Sequence, residues 1–168
     1  MDKPASDTRL AIVAAFSRLV LSLRSARPPV AQLLREASVA RSTLYSHFGD
    51  RDSLLIEAIK QPLSVLASAV LRDGHDERLV DLLAHFRDQR RGVLDVLSGK
   101  LSLRIVRTLA DLLMETSAGL KRSDAIRLAD SQLGFIRLWL SGETPDTAEA
   151  LAHTMISCAK AQLASRIG

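Results

Sequence analysis

Within residues 30–54 the apolar side chains change helical phase twice, and this limits the local fold more than any other feature of the chain. Leu33, Leu34 and Ala37 fall on one side of a short helix. Ser38-Val39-Ala40 interrupts it, with Val39 as the apolar residue available to fill the gap between two helices. From Arg41 to Phe48 the pattern resumes in a new phase, and Leu44 and Phe48, four apart, share a face. Successive residues turn about 100° around a helix, so Ser42 and Ser46 fall on the opposite side, flanked by Thr43 and Tyr45. Gly49-Asp50 ends this helix, and Arg51 enters the next. The pattern predicts two short helices joined by a tight turn and followed at once by a third. The outer ridge of the second is too polar for a core, and its size suits the major groove of DNA.

The charge distribution agrees with that reading. Residues 1–51 hold eight basic side chains (Lys3, Arg9, Arg18, Arg24, Arg27, Arg35, Arg41, Arg51) against four acids (Asp2, Asp7, Glu36, Asp50). The remaining residues hold fifteen of each sign, so the net charge of +4 arises entirely in the segment with the two short helices. Cations displace counterions from DNA, so a local surplus of this kind favours phosphate binding. Chance scatter in an arginine-rich chain is the bland alternative.

At these residues the chain resembles the TetR/AcrR family of transcriptional regulators, whose DNA-binding part shows a pattern like I-A-x-x-A-G-V-S-x-x-T-L-Y-x-H-F. The matching residues are Leu33, Ala37, Val39, Thr43, Leu44, Tyr45, His47 and Phe48, with Arg51 and Leu54 following. A helix-turn-helix outline alone is weak, but the T-L-Y-x-H-F run in this setting is fairly specific. Three positions depart from the pattern: Leu34 replaces a small residue, Ser38 the turn glycine, and Ala40 the capping serine of the recognition helix. Loss of such a cap costs about 0.5–2 kcal/mol unless another group substitutes.

The resemblance implies an all-α fold, with an N-terminal helix-turn-helix head of three helices and a C-terminal helical bundle, about nine helices in total. The expected division is 1–51 for DNA binding and 52–168 for ligand binding and dimerisation. In this docking mode, residues near the start of the recognition helix reach base edges while surrounding groups hold phosphates. Arg41, Ser42 and Thr43 are the expected base readers, with Ser46 beside them. Tyr45 and His47 are expected on the DNA backbone, as their counterparts in the family commonly are. Arg51 adds a cation at the next helix start, and Arg27 and Arg9 are outer phosphate contacts. A half-buried spacer is the plainer reading of Tyr45, and a surface histidine that of His47.

Taken in order, a first helix is expected from about Asp7 or Thr8 to Arg24, capped by Asp7, with Ile12, Ala15, Phe16, Leu19 and Leu23 inward. Arg27-Pro28-Pro29 breaks it. A helix from Arg51 is expected to run to about Arg72, with a kink or break near residues 58–61 because Pro62 falls inside it. Further helices are expected from Asp76 through Phe86, over a short stretch from Val93 to Leu97 after an interruption at Gly92, over 100–118, over 123–140 and over 147–167. Pattern and composition show no strand signal or repeat, and the chain reads as all-α.

In the resembling family the last two helices pair with their copies in a four-helix dimer interface. Carried over, that implies a homodimer using Leu133, Ile136, Leu140, Ala152, Ile156, Ala159 and Leu163, and hence a palindromic double-stranded DNA operator. A monomer core is the alternative reading of the same residues. The family also implies a pocket for a small apolar effector, lined here by Phe86, Leu109, Met114, Phe135 and Trp139, with His85 or Asp111 orienting a polar group. Ordinary core is the alternative for each apolar member.

Enzymatic chemistry finds little support. Asp81, His85 and Asp88 lie at helical spacing, a pattern more often found on a solvated face than at a catalytic centre. His153 and Cys158 are five apart and do not share a helical face. The sequence contains no phosphate loop, zinc-ligand spacing or nucleophile elbow, so no cofactor or metal is expected. A helical adaptor that binds protein is the remaining rival to a DNA-binding regulator. With 47% hydrophobic residues the chain can bury a core, and one cysteine, Cys158, fits a reducing cytoplasm. No signal peptide is visible, and no segment approaches the roughly 20 uninterrupted apolar residues of a spanning helix.

Overall fold

The computed structural model describes residues 5–23, 27–72 and 74–165, and the described residues are helices joined by short connections, with no strand among them. The helices are α1 (Ala5–Leu23), α2 (Val30–Ala37), α3 (Arg41–Phe48), α4 (Arg51–Val70), α5 (Glu77–Asp88), α6 (Arg90–Ser98), α7 (Ser102–Thr116), α8 (Arg122–Ser141) and α9 (Ala148–Ala164). The all-α expectation of about nine helices is met. The expected helix ends at Arg24 and Ile167 lie outside the described residues, as does the Leu23 side chain.

The chain forms two compact units, residues 1–59 and 60–168, so the boundary falls inside α4 rather than at Arg51. In the first unit, α1 packs on α2 and buries Ile12, Ala15, Phe16 and Leu19. Asp7 lies within the first turn of α1 instead of capping it, because the helix already begins at Ala5. Asp50 caps α4 through its Oδ1, which accepts from the Ser53 amide at 2.6 Å.

The expected break before Pro62 does not occur. α4 runs unbroken from Arg51 to Val70 with Pro62 inside it. A mid-helix proline forfeits one backbone hydrogen bond and crowds the preceding turn, at a cost of about 3 kcal/mol. Leu54, Leu55 and Ile56 before it and Leu63, Leu66, Ala67 and Val70 after it are all buried, and burial on both sides offsets that cost. Among the described residues α4 is also the one helix long and apolar enough to cross a membrane, with a mean hydropathy of 1.3. Within that stretch 44% is buried inside the protein.

In the second unit α8 packs against α5, α6, α7 and α9, and α9 packs against α5 as well. From this central position α8 buries Leu128, Leu133, Ile136, Trp139 and Leu140. The expected interruption at Gly92 falls instead at Gln89, and Gly92 lies within α6. The break at Gln89 leaves the backbone satisfied, because its amide donates to the His85 carbonyl and its own carbonyl accepts from Val93. Gly142, at φ 90°, closes α8 with its amide on the Trp139 carbonyl and the Glu143 amide on Leu138. The connection to α9 is fastened by Trp139, whose Nε1 donates to the Asp146 carbonyl at 2.8 Å, and by Arg90, which donates to the Ser141 carbonyl at 3.1 Å.

Candidate nucleic-acid interface

α3 spans Arg41–Phe48, the limits expected for the second short helix, and stands on Leu44 and Phe48, 2% and 6% exposed. On its outer side Arg41, Ser42, Tyr45 and Ser46 are exposed, while Thr43 and His47 are half-buried. The hydrophilic ridge therefore faces solvent as its spacing requires. Ser46 spends its hydroxyl proton on the Thr43 carbonyl at 2.9 Å, which leaves the oxygen lone pairs to face a partner. His47 holds its ring tilted beside Phe48, with centroids 6.4 Å apart.

The turn before α3 follows the departures in the sequence. Ser38 adopts the left-handed conformation, φ 53° and ψ 45°, at the position where the family pattern has glycine. Its amide and that of Val39 close α2 by donating to the Arg35 and Leu34 carbonyls. Val39, in the turn, is half-buried. Ala40 occupies the N-cap position of α3 with extended backbone, and among the described residues no side chain caps the helix in place of the missing hydroxyl.

The cations divide into two groups, and spacing along the sequence does not separate them. Arg9 donates from Nη1 to the His47 carbonyl at 3.0 Å, pairs through Nη2 with Glu57 at 3.1 Å, and lies 4.5 Å over the Phe48 ring. Arg18 pairs with Glu36 at 2.9 Å. Arg27 pairs with Asp52 at 3.6 Å. Arg51, half-buried, donates from Nη2 to the Pro28 carbonyl at 2.6 Å. Of the expected phosphate contacts, Arg9, Arg27 and Arg51 are thus each engaged within the first unit. Among the described residues, Arg41 and Arg35 are exposed and have no acidic partner. Arg35 was missed in the sequence, although Leu33, Leu34 and Ala37 facing inward already turn it outward. Drawing the boundary at residue 51 also hid Asp52 and Glu57, which raise the acids of the first unit to six against the same eight bases.

The second unit corrects the expected dimer surface. Ile136 and Ala159 are fully buried within the single chain, Ala152 is 1% exposed, Leu133 and Leu140 are 2%, and Ile156 is 5%. A side chain already removed from water by its own helices has no area left for a partner, so these six build the monomer core. Leu163 is half-buried. The six residues expected to line a pocket occupy three environments. Leu109 and Trp139 are buried, Phe86, Met114 and Phe135 are half-buried, and His85 is exposed on α5. Arg87 lies 5.4 Å over the Trp139 ring. Asp111 is exposed and pairs with Arg122 at 2.6 Å, so it serves as a surface link between α7 and α8. Asp81, His85 and Asp88 are likewise all exposed.

Comparison with known proteins adds no relative: no protein-family model matches the chain, and no curated protein matches it.

Proposed function

We propose that this protein is a DNA-binding transcriptional regulator of the TetR/AcrR type, acting as a cytoplasmic homodimer on a palindromic operator. The observation that carries this reading is α3. Its apolar residues are buried beneath it, while Arg41, Ser42, Tyr45 and Ser46 form an exposed, uncharged-to-basic ridge. That combination suits insertion into a major groove, where arginine pairs with guanine and hydroxyls serve either as donors or as acceptors. Arg41 at the start of the helix is the principal base reader, and Tyr45 meets the backbone beside it.

In this reading repression is the mode of action and the second unit carries pairing and the response to a small effector. Two copies pair through outward-facing residues of α8 and α9, Leu138 at 51% exposed among them. An effector that favours one spacing of the two heads shifts the population toward or away from the DNA-competent form.

The test is selection of bound fragments from a genomic DNA pool, followed by titration of the enriched site against random duplex at several salt concentrations. Enrichment of a palindromic site, bound far more tightly than random duplex, is the expected result. Recovery of no preferred fragment, with binding no stronger than a generic basic protein shows, would overturn the reading.

A further inference from the structure

The C-terminal end of α3 is held by a side chain from another helix. α3 has eight residues, and isolated helices shorter than about 12–15 residues are marginal in water. Its N-cap residue, Ala40, makes no side-chain cap hydrogen bond. Its last turn has carbonyls with no partner inside the helix, and the Arg9 guanidinium, carried on α1, takes the one at His47 at 3.0 Å. A cation there also suits the negative end of the helix. The same group stacks over Phe48 at 4.5 Å and is fixed from behind by Glu57 of α4 at 3.1 Å. Both ends of the planar fork are thereby in use.

We infer that Arg9 is a positioning residue for the recognition helix, setting the angle at which α3 presents its outer ridge, and is not one of the cations that neutralise DNA phosphate. This inference rests on the DNA-binding reading above. A phosphate contact would have to take Arg9 away from the His47 carbonyl or from Glu57, and so would loosen the helix that reads the bases. Arg9 and Glu57 act as one clip, joining α1, the end of α3 and the first half of α4.

The experiment compares the full-length wild type with Arg9→Ala, Arg9→Lys and Glu57→Gln on the selected DNA site and on random duplex, across a salt series, with amide hydrogen exchange on the free proteins. A positioning role predicts that Arg9→Ala loses about tenfold on the selected site and less than about twofold on random duplex, with the salt dependence of non-specific binding unchanged. Arg9→Lys, which keeps the charge but loses the two-pronged planar geometry, should fall between wild type and Arg9→Ala. Glu57→Gln should move in the same direction by less. A phosphate role predicts instead equal losses on both DNAs, with the slope of log K against log salt falling by about 0.9 for each head, and that result would overturn the inference. Exchange at the Phe48 and Gly49 amides should accelerate in Arg9→Ala without DNA present; unchanged exchange there would also overturn it. If the wild type binds no duplex at all, the DNA-binding reading fails, while accelerated exchange still establishes the clip. Should Arg9→Ala fail to fold, Arg9→Lys and Glu57→Gln carry the same comparison.

Discussion

Arg51, the first residue of α4, donates from its guanidinium to the Pro28 carbonyl, 2.6 Å away and 23 residues earlier in the chain. Pro28 lies just ahead of α2, so this bond ties the start of α4 to the entry of the helix-turn-helix. The guanidinium that the sequence suggested as a phosphate contact is therefore a brace. Hydrogen bonds to charged groups contribute about 1.5–3 kcal/mol, and partial exposure places this one in the lower part of that range. Arg51→Ala should lower the midpoint of urea unfolding of the first unit without changing the slope. An unchanged midpoint would mean that water replaces the Pro28 contact at no loss.

Ala40 has φ −74° and ψ 157°, the backbone that an N-cap residue requires, but lacks a side-chain acceptor. Ala40→Ser should stabilise the protein by about 0.5–2 kcal/mol, read as a higher unfolding midpoint. A neutral or destabilising result would show that the first amides of α3 already have partners.

Arg41 is exposed at the start of α3 and, among the described residues, has no acidic partner, so its removal should leave the fold intact. Arg41→Ala should weaken binding to a selected site by about 1–3 kcal/mol while non-specific affinity changes less. Equal loss on both DNAs would reassign Arg41 to the phosphate backbone.

Gln132 is fully buried on α8, where its Nε2 donates to the Met155 carbonyl at 3.2 Å and, among the described residues, its Oε1 has no partner. An unpaired buried acceptor costs about 1–3 kcal/mol, and Met155, within α9, does not depend on Gln132 for its place in the helix. Gln132→Met, close in volume, should be neutral or stabilising in thermal unfolding. A marked destabilisation would show that Oε1 binds an internal water that matters to the core.

Asp76 caps α5, accepting from the Arg78 and Leu79 amides at 3.0 and 3.3 Å. Burial opposes its charge, but the Arg78 guanidinium and these amides outweigh burial and hold the carboxyl below its ordinary value. A lowered folded-state pKa contributes stability that is fully present above the unfolded aspartate value, about 3.9, and is lost as pH falls through the folded value. Asp76→Asn keeps an acceptor but removes the titration. It should therefore be less stable than wild type near neutrality and converge with it in acid. Parallel stability curves for the two proteins across that range would show that Asp76 does not contribute through its charge.

Much of the architecture was legible in the residues because amphipathic periodicity is a local property. Leu44 and Phe48 placed the inner face of α3, and its limits matched the spacing residue for residue. Asp76 and Thr147 stand just before α5 and α9 and cap them as short polar residues do. Pro62 and Gly92 misled for one reason. Each lowers local helix preference, but the roughly 3 kcal/mol cost of Pro62 yields to the apolar burial on both sides of it, and Gly92, in the first turn of α6, costs only about 1 kcal/mol. Leu133, Ile136 and Leu140 on α8 and Ala152, Ile156 and Ala159 on α9 signalled close packing, but did not specify whether the partner helix lay in the same chain or in a second copy.

The order of the helices and the outward ridge of α3 were determined by the sequence by itself, since a repeat of 3.6 residues selects which side chains can be buried together. Tertiary structure alone decided the roles of the arginines. Arg9 and the His47 carbonyl are 38 residues apart, and Arg51 and Pro28 are 23 apart. Whether such groups meet depends on how α1, α2, α3 and α4 are arranged in space. A guanidinium reaching a carbonyl and one facing solvent look the same in the sequence, because charge is a property of the residue while pairing is a property of its neighbours.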